Sequence, residues 1–319
     1  MSRLFVNQIK ENDAISDIYR VQDKVFRTDK RGACYLQLVL CDKTGSLTAF
    51  LWNTTEEESK KFDEGDFVRC EGRGQLYQGK LQAHLTKIKK VEMSEVAGEH
   101  FAQTTRQDLT RLAARLREML DTVTSPDLRL VVDAFLNDHE LMERFKRVFA
   151  GLRIHHANLG GLLEHTVAMM ELSEFVGRQY CEIVDREILL VGAFLHDIGK
   201  TEELSDDPVA PAYTDDGQAL GHPYLGAELL DRKLVELKAA GKTVDPIIAL
   251  KLKHMILSHH GVLEFGAVKL PMTREAIALH LIDALDAKLN EFQKFIQEDV
   301  NRDKAWTSYN PALERKLLK

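Results

Sequence analysis

Imidazole and carboxylate side chains recur along the second half of this 319-residue sequence in an order that suits a metal site. The sharpest local signal is the adjacent pair His196-Asp197 in AFLHDIGK. Imidazole and carboxylate are ligands that Mn, Fe, Co and Zn ions accept, and a thiolate site is excluded because this region contains only Cys181. The further candidate ligands, in chain order, are His165, His222, His259, His260 and Asp283.

Asp197 is central to this prediction because its carboxylate has two oxygens and can bridge two ions. A second ion would need its own imidazoles, and His222 with His259 or His260 can supply them. Lys200, one turn beyond Asp197, is placed to contact a phosphate oxygen, but a solvated lysine after a helix end is an equal alternative. Asp197 and Lys200 are the predicted catalytic residues.

Each member of the series is weak evidence by itself. A single histidine on a helix is more often a capping or core residue, and a His-Asp dipeptide occurs by chance. Asp283 is more informative, since its apolar neighbours Leu281 and Ile282 predict burial and a buried carboxylate needs a partner. The order H, HD, H, HH, D is much more specific than any one of its members.

The first 92 residues have the patterning of β-strands. Alternating apolar residues and turn signals predict two strands around a turn at residues 42–45, and three more elsewhere. Five short strands over such a length are typical of a small Greek-key barrel. The expected strands are residues 19–26, 34–41, 46–52, 67–72 and 80–88.

From about Met93 leucines recur at helical spacing, which predicts an all-α second part. Helices are expected over residues 108–120, 128–136, 140–149, 162–180, 186–196, 226–237, 247–258 and 274–295. The protein is therefore predicted to be multidomain. The expected boundaries are 1–92 for the barrel, 93–150 for a helical connector packing on the next domain, and 151–319 for the helical domain.

The composition is that of a globular protein, with 44% hydrophobic and 29% charged residues. No apolar run approaches the ~20 residues of a membrane span, and the N-terminus lacks a signal-peptide core, so a cytoplasmic location without membrane contact is expected. The first 92 residues hold 16 Lys and Arg against 14 Asp and Glu, whereas the remainder hold 27 against 36. The acidic second part would need bound cations to handle phosphates.

The four cysteines form no CxxC pair, and we expect them to be free thiols in the core. They are Cys34, Cys41, Cys70 and Cys181.

At its histidine and aspartate motifs the chain resembles the HD superfamily, whose pattern H…HD…D falls on His165, His196, Asp197 and Asp283. The chain is also similar to the YhaM family of bacterial 3′→5′ exoribonucleases. The similar segments are LLEHT, AFLHDIGK, GHPYLG, HMILSHHG and LHLIDALDAK, the hairpin LCDKTGSLTAFLWN and the closing AWTSYNPALERKLL. The resemblance covers nearly the whole chain. It implies an OB-fold barrel, an HD domain and a divalent metal, with manganese or cobalt favoured and iron, zinc or magnesium as alternatives.

The resemblance also implies an activity: hydrolysis of single-stranded RNA, and of single-stranded DNA as a further substrate, to nucleoside 5′-monophosphates. HD-GYP cyclic-dinucleotide phosphodiesterases share some of these positions. This chain lacks their GYP-type segment and has Gly161 where members with three metals have a glutamate ligand, which favours two ions. The implied ligands are His165, His196, Asp197 and Asp283 for the first ion and His222 and His259 for the second, with His260 a further ligand or a phosphate contact.

OB-type barrels bind single strands with aromatic platforms and basic grooves. Arg73 and Tyr77 are favoured because residues 72–79 are expected to form a loop. For Phe50 and Trp52 burial is a strong alternative, since barrel strands bury alternate aromatic residues. His155 is a candidate contact for substrate phosphate, together with its neighbour His156. The barrel candidates are Tyr35, Trp52, Arg73, Tyr77 and Lys80, with Phe50, Arg69, Lys87 and Lys89 nearby in sequence.

Two other functions remain open from the sequence. One is an HD-type phosphohydrolase of nucleotides or cyclic dinucleotides, which would have no need for a barrel that binds single strands. The other is a nonenzymatic single-strand-binding protein, which would be expected to have lost at least one member of the ligand series. The oligomeric state is also open, with a homo-oligomer as one option.

Overall fold

The computed structural model describes residues 3–28, 32–77, 80–97, 100–101, 108–151, 159–205, 207, 211–299, 304–311 and 313–319. The chain folds into two compact units, residues 1–103 with 300–318, and residues 104–299 with Lys319. The boundaries expected from the sequence, 1–92, 93–150 and 151–319, stay a prediction. Among the described helices of both units, none is long and apolar enough to cross a membrane.

Five strands form a closed barrel in the order β1-β2-β3-β5-β4, which confirms the predicted five-stranded barrel. Neighbouring strands are antiparallel, except for the parallel pair β3 and β5. One short helix, α1 (Glu56–Ser59), follows β3. The strands are β1 (Ala14–Thr28), β2 (Cys34–Asp42), β3 (Gly45–Trp52), β4 (Phe67–Tyr77) and β5 (Lys80–Lys90).

The side chains of β2 and β3 alternate between the barrel core and its outer surface. Leu36 and Leu38 are fully buried, because successive residues of a strand point to opposite faces. The outward positions between the buried ones include Tyr35, Phe50 and Trp52. The aromatic residues of these two strands therefore lie on the outside of the barrel rather than in its core.

The loop predicted for residues 72–79 is wrong in its described part, because residues 72–77 continue β4 and pair with β5. Gly72 and Gly74 lie in this strand, where backbone atoms of other segments come very close to them. A Cβ atom on Gly72 would lie 2.2 Å from the carbonyl oxygen of His84, and one on Gly74 would lie 2.3 Å from another backbone oxygen. Arg73 and Tyr77 therefore stand on a strand.

The second unit is helical in its described residues, as predicted. One apolar core runs through its described residues and is lined mainly by leucine and valine. Its helices are α2 (Leu109–Leu120), α3 (Pro126–Leu136), α4 (His139–Phe145), α5 (Gly161–Gln179), α6 (Arg186–Leu195), α7 (Lys200–Glu203), α8 (Asp215–Leu220), α9 (His222–Ala239), α10 (Pro246–Ser258) and α11 (Arg274–Glu298).

Helix α6 is the centre of this core, since all its residues from Ile188 to Leu195 are buried. It starts at the cap residue Asp185, whose side chain accepts hydrogen bonds from the backbone N–H groups of Glu187 and Ile188. Helices α5, α10 and α11 pack around it. The C-terminal end of α6 therefore delivers His196 into the interior of the unit.

Several helix ends differ from those predicted, and two short helices were not predicted. Helix α4 ends at Phe145, four residues before the predicted end, and α9 begins at His222 because Pro223 is compatible with a first helical turn. Helices α7 and α8 were not predicted, since four and six residues are too few to show a helical period.

All four cysteines are free thiols. Cys70 is buried, and Cys34 and Cys41 are partly buried on β2. Cys181 is exposed after the end of α5, so its prediction as a core residue is wrong.

Candidate metal centre and nucleic-acid face

Five helices of the second unit bring the predicted ligands together. His165 lies in the first half of α5, His196 and Asp197 directly follow α6, and Asp283 lies in α11. His222 is the first residue of α9, and His259-His260 directly follow α10. Side chains separated by up to 118 residues of sequence thus meet in one buried place.

One set of ligand atoms, the first group, consists of His165, His196, Asp283 and the Oδ2 atom of Asp197. The Nε2 atoms of His165 and His196 are 3.2 Å apart, and His165 Nε2 is 3.4 Å from Asp283 Oδ1. Asp197 Oδ2 lies 3.4 Å from His196 Nε2 and 3.7 Å from His165 Nε2. Two imidazoles and two carboxylates therefore face a common point.

The second group consists of His222, His259, His260 and the Oδ1 atom of Asp197. The Nε2 atoms of His222 and His259 are 3.4 Å apart, and they lie 3.2 and 3.5 Å from Asp197 Oδ1. The His260 ring is centred 4.3 Å from that of His259, and ligand atoms of the three histidines lie within 4.8 Å of one another. Asp197 thus presents one oxygen to each group.

In four of the five imidazoles, all except His260, the Nδ1 atom has a hydrogen-bond partner among the described residues. His196 Nδ1 donates to the Ala193 carbonyl oxygen at 2.8 Å, and His259 Nδ1 donates to the Ile256 carbonyl oxygen at 2.7 Å. Each acceptor is the third residue back along the helix that the histidine follows. Because a carbonyl can only accept, Nδ1 of each ring carries the hydrogen, and Nε2 of the neutral ring is left with a lone pair.

Carboxylates accept hydrogen bonds from the other two of these four rings, and neither carboxylate was predicted from the sequence. Asp286 Oδ2 accepts from His165 Nδ1 at 2.8 Å, and Glu203 Oε1 accepts from His222 Nδ1 at 2.9 Å. Asp286 carried a usable signal, since it lies three residues after Asp283 on the same face of α11. Glu203 carried none, because its contact depends on how α7 meets α9.

The first group binds a proton strongly when no ion is present. Burial alone would lower the pKa of His165, but its hydrogen bonds with Asp283 and Asp286 outweigh burial and raise this pKa to about 9. Burial would likewise raise the pKa of Asp197, yet Lys200 and His196 hold it well below its ordinary value. Asp197 is therefore ionised at neutral pH.

The second group is electrically different, because burial lowers the pKa of His222 and of His259. Burial and the neighbouring His259 lower the pKa of His260 to about 4. These rings are neutral at pH 7, so their lone pairs face Asp197 with no proton between them.

This arrangement fits a cation. Asp197 Oδ1 is buried and has no hydrogen-bond partner among the described residues, and the bare Nε2 atoms of His222 and His259 surround it. Atoms that all carry lone pairs repel one another at such distances unless a positive charge lies between them. The ligand atoms are nitrogen and oxygen, which suits divalent metal binding.

Lys200 supplies a positive charge beside the first group. Its Nζ atom lies 2.6 Å from Asp197 Oδ2, and the ammonium group is largely buried. Burial would lower the pKa of Lys200, but Asp197 outweighs this effect and raises it. The lysine is therefore charged and paired to the oxygen that faces the first group.

The barrel carries four rings next to one another, here called the aromatic face: Tyr35, Phe50, Trp52 and His84. The ring centres of Tyr35 and Trp52 are 4.6 Å apart, and those of Phe50 and Trp52 are 5.8 Å apart. His84 lies 6.3 Å from both Phe50 and Trp52 and was not among the candidates. Trp52 is 42% exposed, so its ring is open to a stacking partner.

Arg73 extends the aromatic face, since it pairs directly with His84 across β4 and β5 and is exposed. Tyr77 is exposed four residues further along β4 and lies on the same side of the strand. Arg69 and Lys87 are instead paired with acids, at 3.3 Å to Glu95 and 3.1 Å to Glu71. Lys89 is exposed, whereas the Lys80 side chain and both His155 and His156 lie outside the described residues.

Two family models match the chain. One described as "HD domain" matches residues 162–288, and one described as "OB-fold nucleic acid binding domain" matches residues 19–91. Fold and site therefore define a two-domain protein in which an OB-fold barrel precedes a metal-binding HD domain.

Among curated relatives, the 3′-5′ exoribonuclease YhaM of Listeria innocua is 32% identical over 278 residues, which cover 87% of this chain and 86% of the relative. YhaM of Bacillus subtilis is also 32% identical, over 274 residues that cover 83% and 82% of the two chains. The chain belongs to the YhaM family, as the sequence motifs predicted.

Similar solved structures include the second OB-fold domain of replication protein A from Methanococcus maripaludis, which is 21% identical with a TM-score of 0.25. The match covers 28% of this chain and 96% of that domain. PriB from Ralstonia solanacearum is 14% identical with a TM-score of 0.23 and is matched over its whole length by 26% of this chain.

Proposed function

We propose that this protein is a metal-dependent 3′→5′ exoribonuclease that hydrolyses single-stranded RNA to nucleoside 5′-monophosphates. The observation that carries the proposal is the position of Asp197, whose two oxygens face two separate groups of imidazoles. The names of the curated relatives support the same activity.

We assign one ion to each group, with manganese or cobalt favoured. Two divalent ions would activate a water molecule and neutralise the charge that develops on the phosphate. Asp197 would contact both ions, and His165, His196 and Asp283 would complete the first set. His260 is assigned to the second ion with His222 and His259, because its Nδ1 atom is buried without a hydrogen-bond partner among the described residues.

The chain's own groups have separate tasks in this scheme. Asp197 would help to hold both ions, while the backbone carbonyls behind His196 and His259 keep the Nε2 atoms turned inward. Lys200 would release Asp197 Oδ2 to the ion and bind a non-bridging phosphate oxygen, where its charge stabilises the transition state. His155 and His156 stay predicted phosphate contacts.

The aromatic face is the proposed binding surface for the RNA strand. Base stacking on Tyr35, Phe50 and Trp52 tolerates any sequence, which suits an exonuclease that must pass every base. Arg73 lies next to these rings and carries the charge for a backbone phosphate. Tyr77 and Lys80 lie further along the same hairpin and complete the predicted surface.

The test uses one RNA labelled at the 5′ end and the same RNA labelled at the 3′ end, each incubated with the purified protein with and without manganese. With manganese, the 3′ label should appear at once as a mononucleotide, while the 5′-labelled strand shortens step by step. Chelation should stop both. Immediate release of the 5′ label, or undiminished hydrolysis after chelation, would overturn the proposal.

The same assay separates the alternatives. Turnover of mononucleotides or cyclic dinucleotides in preference to RNA would indicate a small-molecule phosphohydrolase, and RNA binding without hydrolysis would indicate a nonenzymatic binding protein. Parallel reactions with single-stranded DNA measure the preference for RNA. A cytoplasmic location stays a prediction from the sequence, and a homo-oligomer stays one option for the oligomeric state.

A further inference from the structure

Glu203 is a buried carboxylate outside the predicted ligand set. It ends α7 and is only 8% exposed. Its Oε1 atom accepts two hydrogen bonds from His222, one from the backbone N–H at 2.9 Å and one from Nδ1 at 2.9 Å. Because both bonds end on one oxygen, Glu203 fixes the start of α9 and the orientation of the His222 ring together.

Asp286 has the corresponding position beside the first group. Its Oδ2 atom accepts from His165 Nδ1 at 2.8 Å, and its side chain is 13% exposed. Asp286 lies one helical turn after Asp283 on the same face of α11. This face therefore supplies the proposed ligand Asp283 and also the carboxylate that orients the proposed ligand His165.

The two groups are therefore built alike. Each has one ring held by a backbone carbonyl, His196 in the first and His259 in the second, and one ring held by a carboxylate. A carboxylate behind an imidazole makes Nε2 a stronger ligand and adds a negative charge near the ion. Four carboxylates, namely Asp197, Asp283, Glu203 and Asp286, would thus oppose the positive charge of two divalent ions and of the Lys200 ammonium group.

We infer that Glu203 and Asp286 are positioning residues for separate ions, Glu203 for the ion of the second group and Asp286 for the ion of the first. This inference rests on the proposed two-ion function. Each residue acts through a different imidazole on a different helix. The loss of one carboxylate should therefore weaken one ion and leave the other in place.

The experiment titrates Mn²⁺ into the metal-free full-length protein by calorimetry and compares Glu203→Ala with Asp286→Ala. Each variant should keep one ion at wild-type affinity and bind the other about 10- to 100-fold more weakly. The retained ion also reports that the helical unit is folded. Glu203→Gln keeps an oxygen that can accept both hydrogen bonds but loses the negative charge, so it should recover part of the lost affinity.

Combining each variant with a substitution of a proposed ligand in one group identifies which ion the variant weakens. Glu203→Ala should cause no further loss in a His259→Ala background, whereas Asp286→Ala should. A wild-type protein that binds fewer than two ions contradicts the two-ion function itself. If the wild type binds two ions, then unchanged binding in the variants, or equal weakening of both ions by either variant, overturns the separate roles of Glu203 and Asp286.

Discussion

Asp197 is the residue on which the two groups depend, because each of its oxygens faces different imidazoles. Oδ1 is buried among nitrogens with no proton to share, and Oδ2 is paired with Lys200. An ion in the first group must compete with this lysine for the same oxygen. In the proposed scheme the lysine would therefore oppose metal binding, while its charge would support catalysis once it contacts the phosphate.

Replacing Lys200 should separate these two effects. Lys200→Met is expected to bind Mn²⁺ about tenfold more tightly, since a full charge at this distance opposes the ion. RNA hydrolysis should nevertheless fall about 100-fold, because the phosphate loses its cation. Calorimetry measures the affinity for Mn²⁺, and a turnover assay measures the rate of RNA hydrolysis.

Lys233→Met is the matched control for Lys200, because Lys233 is similarly buried but is paired with Asp138 and Glu236 away from the site. It should leave metal affinity unchanged. A fall of metal affinity in Lys200→Met would contradict the competition between lysine and ion.

His165 should make metal binding depend on pH. Hydrogen bonds with Asp283 and Asp286 raise its pKa to about 9, so the ion-free ring keeps a proton that an incoming ion must displace. Affinity for Mn²⁺ should therefore rise with pH between 7 and 8.5, by about tenfold per unit for one proton released. Titration in two buffers with different heats of ionisation counts that proton. Affinity that stays constant over this range would show that the ring holds no proton.

At the scale of elements, the strands and long helices could be predicted because their apolar periods are regular. Helices α7 and α8 are too short for such a signal. The loop predicted for residues 72–79 is wrong in its described part because Gly72 and Gly74 allow close packing within β4. The order of histidines and aspartates predicted which ligand residues meet. The contacts of Glu203 and Asp286 could not be predicted, since they join distant parts of the chain: Asp286 and His165 are 121 residues apart.

The aromatic face of β2, β3 and β5 should bind RNA without taking part in hydrolysis. Trp52→Ala should weaken binding of a single strand by about 5- to 150-fold, because base stacking contributes about 1–3 kcal/mol. Turnover of a small phosphodiester such as bis-p-nitrophenyl phosphate should be unchanged. Fluorescence anisotropy and absorbance measure these two quantities.

The control for Trp52 is Phe175→Ala, an exposed ring on α5 of the other unit. It should bind RNA as the wild type does. Equal RNA affinity in wild type and Trp52→Ala would remove this ring from the binding surface.

At the scale of the whole molecule, the proposed function divides recognition and chemistry between the two units. The first 92 residues hold a slight excess of Lys and Arg and carry the aromatic face, whereas the remainder holds 27 basic against 36 acidic residues and carries the metal centre. Bound divalent ions would offset that acidity where the phosphate must approach. The barrel unit thus suits the strand, and the helical unit suits the reaction.

The most direct test of this account counts the Mn²⁺ ions bound by metal-free wild type and by Asp197→Ala, with release of 5′-mononucleotides from RNA measured on the same samples. The wild type should bind two ions, and the variant should bind at most one, weakly, and release no mononucleotide. An Asp197→Ala protein that binds two ions as tightly as the wild type, or that still degrades RNA at the wild-type rate, would contradict it.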